Sequence, residues 1–167
     1  MKKTKKLIFL SLMISYSLVL HLAERMLPSL YFIAPGAKLG LTNIISLVLL
    51  YSYGMGSAVT VLVLRIILSS IFGGGFSSFL YSITGGLFAI LAMWGIKSCR
   101  LSSVSEVGVS VVGAVFFNIG QLVAAAMMIQ NLSIFVYLPV MMYVSVVTGS
   151  LVGFSGRYVI QRLSRNE

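Results

Sequence analysis

From Leu39 to Ile96 the chain carries a single charged side chain, Arg65. A stretch so poor in charge cannot clothe itself in a water-soluble surface. Soluble domains carry roughly 25% charged residues, whereas this chain has 9% charged and 59% hydrophobic residues over its 167 positions. Hydrocarbon is the solvent this composition suits. The apolar runs are continuous rather than alternating, so they read as helices and not as barrel strands. Each span needs about 20 apolar residues, and six spans with short loops use almost the whole chain. We read residues 1–167 as one all-α integral membrane domain, a six-transmembrane-helix bundle. The expected spans are roughly 6–23, 39–53, 56–72, 76–96, 107–129 and 134–159.

The net charge of +9 comes from 12 Lys+Arg against 3 Asp+Glu. Basic balance can signal nucleic acid, but here the cations flank apolar runs, as positive-inside topology requires. The implied partner is the lipid bilayer and not nucleic acid. Lys2, Lys3, Lys5 and Lys6 precede the first span, Lys97 and Arg100 follow the fourth, and Arg157, Arg162 and Arg165 end the sixth. The loops after spans three and five are uncharged. This pattern puts both termini in the cytoplasm. The run Leu7–Leu20 behind the lysines imitates a signal peptide, but His21-Leu-Ala-Glu24 fits a cleavage site poorly, so the run reads as an uncleaved first span. Cys99 is the only cysteine, which leaves no internal disulfide and no cysteine metal site. Gly73-Gly74-Gly75 lacks the Lys-Ser/Thr of a phosphate loop and reads as a hinge-like turn.

With both ends inside, the polar residues of the spans gather in the outer half of the membrane. Asn43 opens span two at the outer face, and Arg65 lies near the middle of span three. Tyr81, Ser82 and Thr84 fall in the outer half of span four, Asn118 and Gln121 in that of span five. Ser110, Ala114, Asn118, Gln121 and Ala125 share one helical face, and Ser78, Ser82, Gly85 and Ala89 another. An arginine at bilayer depth costs about 2.5–3.5 kcal/mol or more, so Arg65 should face inward with a partner. No carboxylate lies in a central span, so that partner is expected to be an amide, a carbonyl, water or a bound anion. His21 and Glu24 read as an interfacial pair at the end of span one. Each residue also has a structural alternative: Asn118 and Gln121 as ties between helices, Arg65 as a donor to helix ends, Lys38 as a snorkelling cation. Ser11 with Ser15, and Gly149 with Gly153, are small-xxx-small pairs that suit either bundle packing or docking of a partner subunit.

Pro35-Gly-Ala-Lys-Leu-Gly-Leu-Thr-Asn43, Tyr81-Ser-Ile-Thr-Gly-Gly86 and Phe117-Asn-Ile-Gly-Gln121 together carry a resemblance. The chain resembles the membrane-embedded substrate-binding (S) subunits of energy-coupling-factor transporters, in the Gx transporter group. The branch it looks most like is often named heptaprenyl diphosphate synthase component I. The resemblance implies a bacterial plasma-membrane protein with six helices and an outward-opening pocket, capped by residues 24–38. It also implies docking of span one, through Ser11 and Ser15, on a transmembrane coupling subunit that works with ATPase subunits. Alanines are usual at those two positions, and a histidine often stands where Phe117 does. No cofactor and no metal is implied.

Catalytic material is scarce. The chain has no aspartate and one histidine. Prenyl-diphosphate synthases hold Mg²⁺ through aspartate-rich motifs, because hard cations want carboxylate oxygens. The synthase name therefore reads as association with an isoprenoid or quinone locus, and the chain itself as no enzyme. Three roles follow: a ligand-binding transporter subunit, a non-catalytic membrane partner of a soluble polyprenyl synthase, or a membrane scaffold for extracellular redox or flavin proteins. On the first, Arg65, Asn118 and Gln121 should line a cavity with Tyr81 and Ser82, with Lys38 and Asn43 at its rim, for a small anionic or carbonyl-rich ligand with an apolar body.

Overall fold

The structure, a computed structural model, describes residues 3–26, 40–99 and 104–165. Among these there is no strand. The helices are α1 (Lys3–Met26), α2 (Asn43–Ser52), α3 (Gly54–Ser69), α4 (Gly75–Ser98), α5 (Glu106–Ile129) and α6 (Leu138–Ser164). A π-helical turn, Ser70–Gly74, joins α3 to α4, and a 3-10 turn, Leu132–Tyr137, leads into α6. Five segments are long and apolar enough to cross a membrane: Lys3–Glu24, Gly54–Phe72, Gly75–Ser98, Glu106–Ile129 and Leu132–Ser164.

The second helix departs from expectation. Residues 39–53 were expected to span, but α2 has 10 residues, a rise of about 15 Å against a hydrocarbon thickness of about 30 Å. The cause is local. Gly40 has φ +75°, a left-handed conformation that glycine adopts without steric cost. The chain then turns, with the Asn43 N–H donating to the Gly40 carbonyl at 2.9 Å. The 15-residue run would rise only about 22 Å as continuous helix, and its first residues form a turn instead. Among the described residues there are therefore five helices long and apolar enough to span and one half-length helix.

Other helix ends follow ordinary capping chemistry. Ser105 caps α5 by accepting the Gly108 N–H at 3.3 Å, and Glu106 in the first turn complements the helix dipole. α5 stops at Gln130, which is left-handed with φ 54°. Lys97, expected in a loop, closes α2 instead. Its Nζ donates to the Leu50 carbonyl at 2.7 Å and lies 4.6 Å from the centre of the Tyr51 ring. This contact brings the C-terminal ends of α2 and α4 to the same level. Phe9 stacks on Tyr53 and Arg157 pairs with Glu106 at 3.8 Å. The start of α1, the α2–α3 turn, the start of α5 and the end of α6 thus share one end of the bundle, here called the basic end.

α5 is the most enclosed of the five long helices, packed between α4 and α6. In lipid the hydrophobic effect does not press helices together, and close backbone approach takes its place. A methyl group on Gly120 would lie 2.8 Å from the Gly85 Cα, and one on Gly149 would lie 2.7 Å from the Val111 Cα. Gly153 meets α5 in the same way at Val107, so the Gly149/Gly153 pair serves packing within the chain. Ser11 and Ser15 lie on an exposed face of α1, with the Ser15 hydroxyl donating to the Ser11 carbonyl at 3.2 Å. α1 packs on α3 and leaves Leu7, Ile8, Leu12, Tyr16 and Val19 exposed.

The main apolar core is built from Leu47, Leu49 and Leu50 of α2, Ala58 to Ile66 of α3, Ala89 to Met93 of α4, and Val109 and Phe117 of α5. Most of these lie towards the basic end, with Ile66 and Phe117 reaching the middle of the bundle. A second, small cluster holds Leu122 and Met141 with Ile134, Phe135 and Leu138 towards the far end. The buried polar residues described next occupy the layer between the two.

Candidate functional site

α2 and α3 form a hairpin that turns at Tyr53. Asn43 opens α2 and Arg65 lies in the second half of α3, both roughly 15–18 Å from that turn by helical rise. They therefore share a level near mid-membrane. Asn43, expected at the outer face, lies nearer the middle of the bundle, because α2 is only 10 residues long. The chain approaches it through Gly40. A methyl group on Gly40 would lie 2.9 Å from the Asn43 Nδ2 and 3.2 Å from the Phe117 Cδ1, which places the Asn43 amide beside the Phe117 ring of α5.

Two further contacts place the other helices. Gly86 of α4 faces Leu62 of α3, whose Cδ1 would be 2.8 Å from a methyl group there. The helices are antiparallel, so one turn beyond this contact brings Arg65 and Ser82 to the same level. Gly85 faces α5, and a methyl group on it would lie 2.9 Å from the Phe117 carbonyl oxygen and 3.1 Å from the Gln121 Cγ. Ser82 and Gln121 are buried and Tyr81 is half-buried.

Arg65 is only 3% exposed and Asn43 only 5%. Among the described residues, the Arg65 Nη2 and both side-chain polar atoms of Asn43 have no hydrogen-bond partner. An unmet buried polar atom costs about 1–3 kcal/mol, more when charged, so two such residues at one level are an expensive arrangement for a bundle that only needs to pack. The charge partner of Arg65 is the carboxylate of Glu24, which attracts it. This corrects the expectation that Arg65 has no acid near it and that Glu24 belongs to an interfacial pair. Glu24 and His21 are buried, and Glu24 Oε1 accepts the Gly40 N–H at 2.5 Å. The end of α1 thus folds onto the approach to α2. The signal that could have found it was in the sequence: one buried arginine and only one carboxylate on a neighbouring span.

Asn118 and Gln121, expected side by side, diverge. The Asn118 amide points at α6, donating to the Ser145 Oγ at 2.6 Å and the Met141 carbonyl at 3.3 Å. The Ser145 hydroxyl donates in turn to the Met141 carbonyl at 2.6 Å. The Asn118 Oδ1 is left without a partner among the described residues. Gln121 faces α4 instead. Asn43 and Gln121 therefore both lie beside Phe117, with Arg65 and Ser82 at about the same level, while Asn118 takes part in an α5–α6 clasp. Lys38 and most of the expected capping segment lie outside the described residues. Among the described residues no three of His, Cys, Asp and Glu lie together as a metal would require.

The family model described as heptaprenyl diphosphate synthase component I matches residues 13–159. The chain belongs to the heptaprenyl diphosphate synthase component I family. The match takes in Glu24, Asn43, Arg65, Ser82, Asn118 and Gln121 and five full-length apolar helices, so the molecule is a multi-pass membrane protein of that family. Comparison with curated proteins returned no match, and comparison with solved structures returned none.

Proposed function

We propose that this family member is the ligand-binding membrane subunit of an energy-coupling-factor-type uptake transporter. The observation that carries the reading is the pair of buried, partly unsatisfied polar residues, Arg65 and Asn43, at one level of an otherwise apolar bundle. Binding energy from a ligand can offset a cost that packing alone leaves uncompensated. The ligand is a small anionic or carbonyl-rich molecule with an apolar body, held among Asn43, Arg65, Ser82, Tyr81 and Gln121. Asn118 steadies α5 from behind.

In this reading both termini are cytoplasmic and the far end of the bundle faces outward, so the ligand enters from outside. The exposed face of α1 around Ser11 and Ser15 docks on a transmembrane coupling subunit, with ATPase subunits supplying the energy. The subunit itself performs no chemistry: without aspartate it has no motif to hold Mg²⁺ and diphosphate. Native mass spectrometry of gently purified protein tests the reading. A retained small molecule that is lost in Arg65→Gln supports it, and an empty protein whose partners never include ATPases refutes it.

The family description favours a second reading, a non-catalytic membrane component associated with a soluble polyprenyl diphosphate synthase. Affinity purification separates the two. Recovery of a soluble, aspartate-rich synthase in place of a coupling module selects the second.

A further inference from the structure

The charges and unmet hydrogen-bonding atoms around Asn43 specify more about the ligand than that it is anionic or carbonyl-rich. Among the described residues the buried side chains that carry full charge are Arg65 and Glu24, and the Glu24 carboxylate attracts Arg65. Glu24 is also tied to the approach to α2 through the Gly40 N–H, so its position follows from the fold. Among the described residues, the atoms of Arg65 and Asn43 left without a partner are one guanidinium donor, the Arg65 Nη2, and the two ends of the Asn43 amide. Because both ends of Asn43 are unmet, either orientation of the amide leaves one donor and one acceptor.

We infer that the site takes a ligand whose polar head is electrically neutral and carries both an acceptor and a donor: an amide, ureide, lactam or hydroxy-carbonyl group on an apolar body. The inference rests on the binding-subunit reading and narrows it. The head's carbonyl oxygen accepts from Arg65 and the Asn43 Nδ2, and its N–H or O–H donates to the Asn43 Oδ1. A carboxylate or phosphate head satisfies Arg65 but offers the Asn43 Oδ1 no donor. It also adds a second negative charge beside Glu24 in a low-dielectric layer, where unbalanced charge is heavily penalised.

The test uses the full chain in lipid nanodiscs at about pH 8, above the ordinary imidazole range. Three probes share one apolar body: 2-naphthamide, 2-naphthoate and N,N-dimethyl-2-naphthamide. Binding is read as the saturable part that Arg65→Gln abolishes, which removes simple partitioning into lipid. The expected result is that 2-naphthamide binds about tenfold or more tighter than either of the others. Glu24→Gln keeps an oxygen to accept the Gly40 N–H while freeing the charge of Arg65, and should reverse the order of amide and carboxylate. Asn43→Leu should equalise 2-naphthamide and its dimethyl analogue, which keeps the question decidable if Glu24→Gln fails to fold. A preference for 2-naphthoate in the unaltered protein overturns the inference and leaves the binding site standing. So does an amide–dimethylamide difference that survives Asn43→Leu. Absence of any Arg65-dependent binding overturns the binding-subunit reading, and the inference with it.

Discussion

Gly120→Ala adds one methyl group where α5 lies flat on α4. The new Cβ would stand 2.8 Å from the Gly85 Cα and the Thr84 carbonyl oxygen, and 3.0 Å from the Gly85 N. Carbon atoms rest at about 3.5–4.0 Å, so the helices must part by roughly 0.7 Å. All three obstructing atoms are backbone, and no side-chain rotation can clear them. A gap of 0.5–1 Å forfeits about a quarter to a half of the dispersion attraction across the contact, and overpacking typically costs about 1–3 kcal/mol. We expect the upper part of that range, about 2–3 kcal/mol, because dispersion is the main force holding α4 to α5 in lipid. Gly95→Ala is the control. It lies on α4, the helix that Gly120 packs against, with nothing within 4 Å of the added methyl, and the gain in helix preference is about 0.5–1 kcal/mol. Unfolding by SDS in mixed micelles reads both variants. Equal stabilities for the two, or a loss below about 0.5 kcal/mol for Gly120→Ala, would refute the close α4–α5 approach. The placement of Gln121 and Ser82 would fall with it.

Three further outcomes are expected. In a double-mutant cycle of Asn118→Leu and Ser145→Ala, the coupling should be about 0.6–1.7 kcal/mol, the range for hydrogen bonds between membrane helices; additive losses would disprove the α5–α6 clasp. Lys97→Met should destabilise the α2 end by about 1 kcal/mol through loss of its bond to the Leu50 carbonyl, seen as faster hydrogen exchange at the C-terminal end of α2; unchanged exchange there would show that the lysine merely snorkels. Cys99, a free and exposed thiol at the basic end, should react with a membrane-impermeant maleimide only from the cytoplasmic side; labelling of intact cells from outside would reverse the proposed topology.

The solvent of this protein was readable from the chain alone, because hydropathy belongs to each local run and needs no knowledge of neighbours. So were the helical class and the inward orientation of the polar face of α5, where Ser110, Ala114, Asn118, Gln121 and Ala125 are all buried. The burial of Arg65 followed from the cost of exposing a guanidinium to lipid. Depth and direction were not readable in the same way. The apolar run at residues 39–53 would rise only about 22 Å even as continuous helix, and the turn over Gly40–Thr42 shortens it further. Asn118 and Gln121 are three residues apart on one stripe, yet a stripe is wide enough for one to meet α6 and the other α4. Glu24 became the counter-charge of Arg65 through the packing of α1 on α3, a contact between segments far apart in sequence. Local composition determines which residues leave the lipid. Which of them then meet is decided by helix length and helix–helix packing, which arise only when the whole bundle assembles.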